Sequence, residues 1–298
     1  MTQPRIVSLL PAATEMACLL GLEDSVVGIS FECDYPHSIT NRPRVVNAVV
    51  DTRTLTPREI EDAVNAQIRD GQSLYTVDDT LLRNLRPDII LTQDLCRVCA
   101  SDGNDLANAV RNLDYSPQII FMTPHSLADI ESNLLELAEA TGTTAKAKAI
   151  IADWHRRLDA VQKRVAALPR PPRIFLMEWV DPIYCSGHWL PEMTKLAGGV
   201  DKLAKPGVDS VRMEWQQIID WQPEILVVAP CGYNKEQAAA QIPYLTTLPG
   251  WETLPAVQNG RVYPVDANAY FVRPGPRIID GIEILADIFN PSPLMGRE

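Results

Sequence analysis

Short apolar runs, each closed by a proline, a glycine or a polar turn, alternate with stretches of helical spacing along most of this 298-residue chain. Few folds accommodate that rhythm. Arg5-Ile6-Val7-Ser8-Leu9-Leu10, stopped by Pro11, reads as a buried strand. Thr14 to Leu20 carries helical spacing and Gly21 closes it. Ser25 to Ile29 is a second strand, Pro57 to Arg69 an amphipathic helix with proline at its start, and Thr80 to Leu85 a helix stopped by Pro87. Asp88 to Thr92 follows as a strand, Asn104 to Leu113 as a helix and Gln118 to Met122 as a strand. Strands in alternation with helices predict an α/β lobe with a mainly parallel sheet.

Ser126 opens a long helical tract, with Asp129 three residues on in an approximate capping box. The tract pauses at Thr141-Gly142-Thr143. It resumes with Ile151, Trp154, Leu158, Val161, Val165 and Leu168 on one face, and Pro169 to Pro172 ends it. From Thr144 to Leu168 a helix would run about 37 Å. A second lobe then begins much like the first. Arg173 to Met177 is a strand, Pro191 to Leu196 a helix capped by Gly198-Gly199, and Trp215 to Trp221 a helix; Pro223 to Val228 and Arg261 to Val265 are strands, and Ile278 to Phe289 closes the chain as a helix. The boundaries expected are 1–125 for the first lobe, 126–170 for the bridge and 171–298 for the second lobe. One echo links the halves: LLRNLRPDIILT at 81–92 and QQIIDWQPEILVV at 216–228 both read helix, proline, acidic residue, apolar strand.

Composition narrows the partners. The net charge of -11, with no basic cluster, argues against nucleic acid. No apolar run approaches the ~20 residues of a membrane span. MTQPRIVSLLPAATEMACLLG lacks the basic start, apolar stretch and cleavage site of a secretory signal, so a cytoplasmic location is expected of the chain as written. Its six cysteines, Cys18, Cys33, Cys96, Cys99, Cys185 and Cys231, are then free thiols or ligands rather than a disulfide framework. The absence of a Walker loop, G-x-S-x-G and H-E-x-x-H argues against an enzyme.

The stretch RIVSLLPAATEMACLLGLEDSVVGIS, then Asp34-Tyr35-Pro36, then LRPDIILT resembles the first lobe of periplasmic vitamin B12-binding and iron-siderophore-binding proteins. RIFLMEW, SGHWLPEMTKLAGG, WQPEILVV and VRPGPRIIDGIEIL resemble the second, so the resemblance covers about Arg5 to Phe289. Asp34-Tyr35-Pro36 after the second strand is most similar to the cobalamin binders. The resemblance implies two Rossmann-like α/β lobes joined by a single long bridging helix, the helical-backbone or class III architecture, with ligand between the lobes. It implies reversible binding of a small molecule, a corrinoid such as cobalamin, delivered to an ABC permease. The family's docking glutamates fall seven residues before the proline of each strand motif. Those positions hold Thr80 and Gln216 here, with Asp79 and Glu214 nearby. This departure points to a chain that keeps the ligand site without serving such a transporter. A monomer is expected.

Ligands of α/β lobes gather beyond the carboxyl ends of strands, which selects Pro11 to Thr14, Phe31 to Pro36 and Gln93 to Ser101 in the first lobe. In the second it selects Glu178 to Trp189, Pro230 to Asn234 and Asp266 to Arg273. These loops carry the rings a flat macrocycle needs. The candidate contacts are Pro11, Ala12, Glu32, Asp34, Tyr35, Trp179, His188, Trp189, Arg212, Tyr233, Tyr270, Phe271 and Arg273, the arginines as partners for amide, carboxylate or phosphate groups. His188 is either a cobalt ligand or a surface loop histidine, and His125 and His155 read as structural. Cys33, Cys96, Cys99 and Cys231 also follow strands, and either stay as free thiols or hold a transition metal. Alternative functions are therefore binding of a metal chelate, siderophore or haem, and metal or redox handling by these cysteines. The small number of basic residues in the loops ranks anionic ferric chelates second.

Overall fold

The computed structural model describes residues 3–52, 54–93, 110, 113–167 and 169–290. The chain divides into two compact units, Met1–Pro124 with Ala128–Ile150, and His125–Leu127 with Ile151–Glu298. Each has its own sheet.

The first unit holds β1 (Ile6–Ser8), β2 (Val26–Ser30), β3 (Arg44–Ala48), β4 (Tyr75–Val77), β5 (Ile89–Thr92) and β6 (Gln118–Phe121), in the order β4-β3-β2-β1-β5-β6. All neighbours pair in parallel except β3 and β4. Central β1 is set opposite β5 with Ile6 against Ile89 and Ser8 against Leu91. Ile6 and Val7 are fully buried, as a strand covered by helices on both faces must be. The helix Asp79–Leu85 approaches the sheet at Gly28, where a Cβ would lie 2.6 Å from the Leu85 side chain. Sequence pattern alone misses β3 and β4. Val45 and Val46 are the only adjacent apolar pair in β3, and half-exposed β4 is an antiparallel edge whose pairing is tertiary.

Pro11 to Thr14, expected as a loop, is the first turn of the helix Pro11–Leu19. Proline has no N–H to leave unsatisfied at that position, and Thr14 N–H already reaches Leu10 O at 3.2 Å. The helix Pro57–Arg69 begins with a capping box in which Thr56 and Glu59 exchange backbone and side-chain bonds.

The second unit holds β7 (Ile174–Val180), β8 (Ile183–Cys185), β9 (Ile225–Val228) and β10 (Val262–Pro264), in the order β10-β9-β7-β8. Glu178 to Trp189 is not one loop. β7 continues to Val180, turns at Asp181-Pro182 and returns as antiparallel β8. The signal was present, since Trp179-Val180 and Ile183-Tyr184 flank a two-residue Asp-Pro turn. Asp266 to Arg273 likewise contains a helical turn, Ala267–Tyr270, capped by Asp266 through Ala269 N–H at 2.8 Å. Phe175, Met177, Leu226 and Val228 build the core on one sheet face with Ile218, Leu245 and Leu254.

The helical tract is two helices, Leu127–Ala140 and Thr144–Val165, broken where Gly142 takes φ +70°. The pause expected at Thr141-Gly142-Thr143 is found there, because only glycine enters that backbone region without strain. The second helix, 22 residues long, is continuous across the division between the units at Ile150 and Ile151. In the second unit Arg157 pairs with Asp280 and Glu283 of the helix Ile278–Phe289. Among the described residues no helix is long and apolar enough to cross a membrane.

The sequence echo is a structural repeat. The helices Asp79–Leu85 and Trp215–Trp221 end on left-handed Arg86 (φ 44°) and Gln222 (φ 52°), each followed by proline. Asp88 then accepts Arg5 N–H at 2.7 Å, and Glu224 accepts Arg173 N–H at 3.0 Å. Arg5 Nε donates to Leu85 O and Arg173 Nε to Gln222 O, both at 2.8 Å. Each arginine thereby satisfies an orphan carbonyl at a helix C-terminus. The Arg170 guanidinium, bidentate on Glu224 at 2.6 and 2.7 Å, holds that carboxyl down at about 2.

The early part of β7 lacks β8 as a partner, and Asp201 stands in: its carboxylate accepts Leu176 N–H at 3.3 Å and Leu203 N–H at 2.9 Å. Burial pushes this carboxyl up to about 6, against the pull of those N–H groups. Because the folded value exceeds the unfolded one, the native state keeps a proton that the unfolded chain has released between pH ~4 and ~6. Stability should therefore fall as pH rises through that window, by up to about 3 kcal/mol. Asp201→Asn should flatten that slope in urea denaturation measured from pH 4 to 7.

Candidate functional site

In the first unit the carboxyl ends of β1 and β2 lead into the helix Pro11–Leu19 and the segment Phe31 to Pro36. Phe31 N–H donates to Val46 O at 3.0 Å, and the Phe31 ring lies 6.1 Å from that of Tyr75. Beyond it Glu32 and Asp34 are exposed, and Tyr35 is 49 % exposed. Ala12 is buried within its helix while Pro11 is half-buried. Tyr75 is a residue that sequence reasoning missed, because the strand that carries it has no apolar run.

In the second unit Trp179 pairs with Tyr184 across the β7–β8 hairpin, and its ring meets Tyr233 edge-on at 5.5 Å. The Trp179 indole N–H donates to Asp181 O at 3.2 Å. These rings are half-buried, with one end wet, as suits an aromatic contact surface. Burial raises the Tyr233 phenol above its ordinary value, so it is a neutral donor at physiological pH. Arg212 is exposed and its backbone bridges to Tyr184. Tyr270 is half-buried with the Arg277 guanidinium 5.7 Å over its ring, and Arg273 is half-buried.

Trp189 and Phe271, expected on open loops, are inside. Phe271 is fully buried, and the Trp189 indole N–H donates to Phe271 O at 2.7 Å. A buried indole needs such a partner. His188 holds φ +51°, uncommon for a residue with a Cβ. Its Nε2 lies 3.1 Å from Asp209, and its ring lies 5.9 Å from that of His125. Burial pulls its pKa down, partly opposed by Asp209.

The cysteines divide by environment. Cys33 is buried, with its sulfur 3.1 Å from the Thr14 hydroxyl, whereas Cys231 is exposed. Burial pushes the Cys18 thiol up to about 12 and also raises Cys185, which keeps both protonated and unreactive. Cys96 and Cys99, with residues 94–101 of their loop and most of the expected helix Asn104 to Leu113, lie outside the described residues. Among the described residues no three His, Cys, Asp or Glu side chains gather closely enough to hold a metal ion.

Each unit presents aromatic faces and a few polar anchors at the carboxyl ends of a mainly parallel sheet, where α/β proteins bind ligands. The vitamin B12-binding protein of Vibrio cholerae is 27% identical over 282 residues, covering 94% of this chain and 86% of that protein. The crystal structure of the periplasmic vitamin B12 binding protein of Vibrio cholerae superposes with TM-score 0.67 at 26% identity, covering 96% of each chain. A possible iron-binding (periplasmic solute-binding) protein of Staphylococcus epidermidis gives TM-score 0.73 at 20% identity, covering 97% of this chain and all of that one. The profile of the periplasmic binding protein family matches residues 6–269, and the chain belongs to that family.

Proposed function

We propose that this protein reversibly binds a corrinoid of the cobalamin type, without catalysis, through residues at the carboxyl ends of its strands. The observation that carries the reading is the 27% identity to a vitamin B12-binding protein across 94% of the chain. The contacts proposed are Glu32, Asp34 and Tyr35 from the first unit, and Trp179, Arg212, Tyr233, Tyr270 and Arg273 from the second. Rings at Tyr35, Trp179 and Tyr233 suit the faces and edges of a macrocycle, and the exposed carboxylates suit its amide side chains. His188 Nε2 is engaged by Asp209 at 3.1 Å, which favours its reading as a loop histidine.

A second reading, a ferric chelate or haem, is favoured by the fold shared with a possible iron-binding protein. Exposed Glu32 and Asp34 would repel an anionic chelate, which ranks it second. Titration with cyanocobalamin should quench tryptophan fluorescence and release heat, and Tyr35→Ala and Trp179→Ala should each weaken binding roughly tenfold. Saturable binding of haemin or a ferric siderophore with no response to cyanocobalamin would transfer the function to the second reading.

We also infer that the chain does not dock on a vitamin B12 permease in the manner the family resemblance implies. Thr80 and Gln216 occupy the positions of the docking glutamates; both are exposed, and Gln216 Nε2 is bonded to Asp220 at 2.8 Å. Neither carries the negative charge of a glutamate. In a pull-down with a purified vitamin B12 permease the wild-type chain should bind at least tenfold more weakly than the Thr80→Glu, Gln216→Glu double variant. Tight wild-type binding would refute this.

A further inference from the structure

We propose that Cys33 is a positioning residue: its thiol is the donor end of a buried chain, Cys33–Thr14–Ser8, that pins the segment carrying Glu32, Asp34 and Tyr35. The assignment of those three as ligand contacts rests on the corrinoid reading; the pinning itself does not.

The exposure pattern shows what is pinned. Cys33 is 3 % exposed while Tyr35, two residues on, is 49 % exposed, and Glu32 and Asp34 on either side of the cysteine are also exposed. The segment is fixed at its start by Phe31 N–H on Val46 O, and beyond its end by fully buried Ile39, whose N–H reaches Pro36 O at 3.0 Å. Between those points the inward side chain is Cys33. Its backbone N–H also donates to Ser30 O at 3.1 Å.

The direction of the chain follows from counting protons. Leu10 O is a carbonyl and can only accept. Ser8 Oγ donates to it at 3.1 Å. Thr14 Oγ1 lies 2.8 Å from Ser8 Oγ and 3.2 Å from Leu10 O, so its single proton is used on that side. The remaining contact, Thr14 Oγ1 to Cys33 Sγ at 3.1 Å, then has the thiol as donor. Ser8 and Thr14 are fully buried, where a hydroxyl left without its partner is costly. Binding of a metal by Cys33 would need the thiolate, and the chain would lose its donor end. The cysteine that sequence pattern marks as a candidate ligand thus acts through its neighbours, by turning inward so that they turn outward.

Four variants test this by hydrogen–deuterium exchange of residues 31–36 together with titration of cyanocobalamin. Thr14→Val and Cys33→Ala should each speed exchange of the segment roughly tenfold and weaken cyanocobalamin binding by a similar factor. Cys33→Ser keeps a donor and should stay within about threefold of wild type in both. Cys33→Val is the discriminating variant: it refills the volume without a donor and should behave like Cys33→Ala. A Val variant that exchanges and binds like wild type overturns the proposal, since packing alone would then suffice. If wild type binds no cyanocobalamin, the corrinoid reading falls and the exchange rates alone decide whether the anchor exists.

Discussion

The placement of each sheet depends on one repeated interaction. An acidic side chain just after a proline accepts the backbone N–H at the start of the central strand, and the arginine of that N–H reaches back to the preceding helix's last turn. Asp88 with Arg5 and Glu224 with Arg173 set the register of β1 on β5 and of β7 on β9. Parallel strands need long crossovers and have no hairpin to fix their alignment. A polar bond across the strand start supplies what a turn cannot. It also offsets the cost, roughly 1–2 kcal/mol, of a left-handed residue with a Cβ at Arg86 and at Gln222.

Once register is fixed at the amino ends, the carboxyl ends are fixed as well, and with them every candidate contact. In the second unit, hairpin pairing aims Trp179 and Tyr184, while β9 delivers Tyr233 to the Trp179 edge. Trp189 and Phe271 are buried and joined by an indole-to-carbonyl bond. In the first unit a buried hydroxyl chain lies beneath exposed Glu32, Asp34 and Tyr35. Both units thus carry polar and aromatic groups that reach solvent next to buried, hydrogen-bonded side chains.

Much of this was legible in the residues. The helix Pro57–Arg69 and the helices Trp215–Trp221 and Ile278–Phe289 match their expected limits, because proline starts and apolar stripes mark them locally. The duplicated helix–proline–acid–strand pattern was legible as an echo, although the reciprocal arginine bonds beneath it were not, since they join residues far apart in the chain. β3 and β4 were missed because short strands gain their stability from neighbours rather than from their own composition. Among candidate contacts, Phe271, Trp189 and Ala12 lie too deep to present a face. An aromatic loop residue looks the same in sequence whether it faces in or out.

The sequence by itself determined the class of fold, the family and which segments follow the carboxyl ends of strands, since periodicity, prolines and glycines act on the local backbone. Only the tertiary structure decided which side chains in those segments point outward. Facing is set by contacts with distant partners, as when the Thr14 hydroxyl receives the Cys33 thiol or the Phe271 carbonyl receives the Trp189 indole. Local pattern carries no record of such partners, because the free energy that selects them appears only when the strands have been brought side by side.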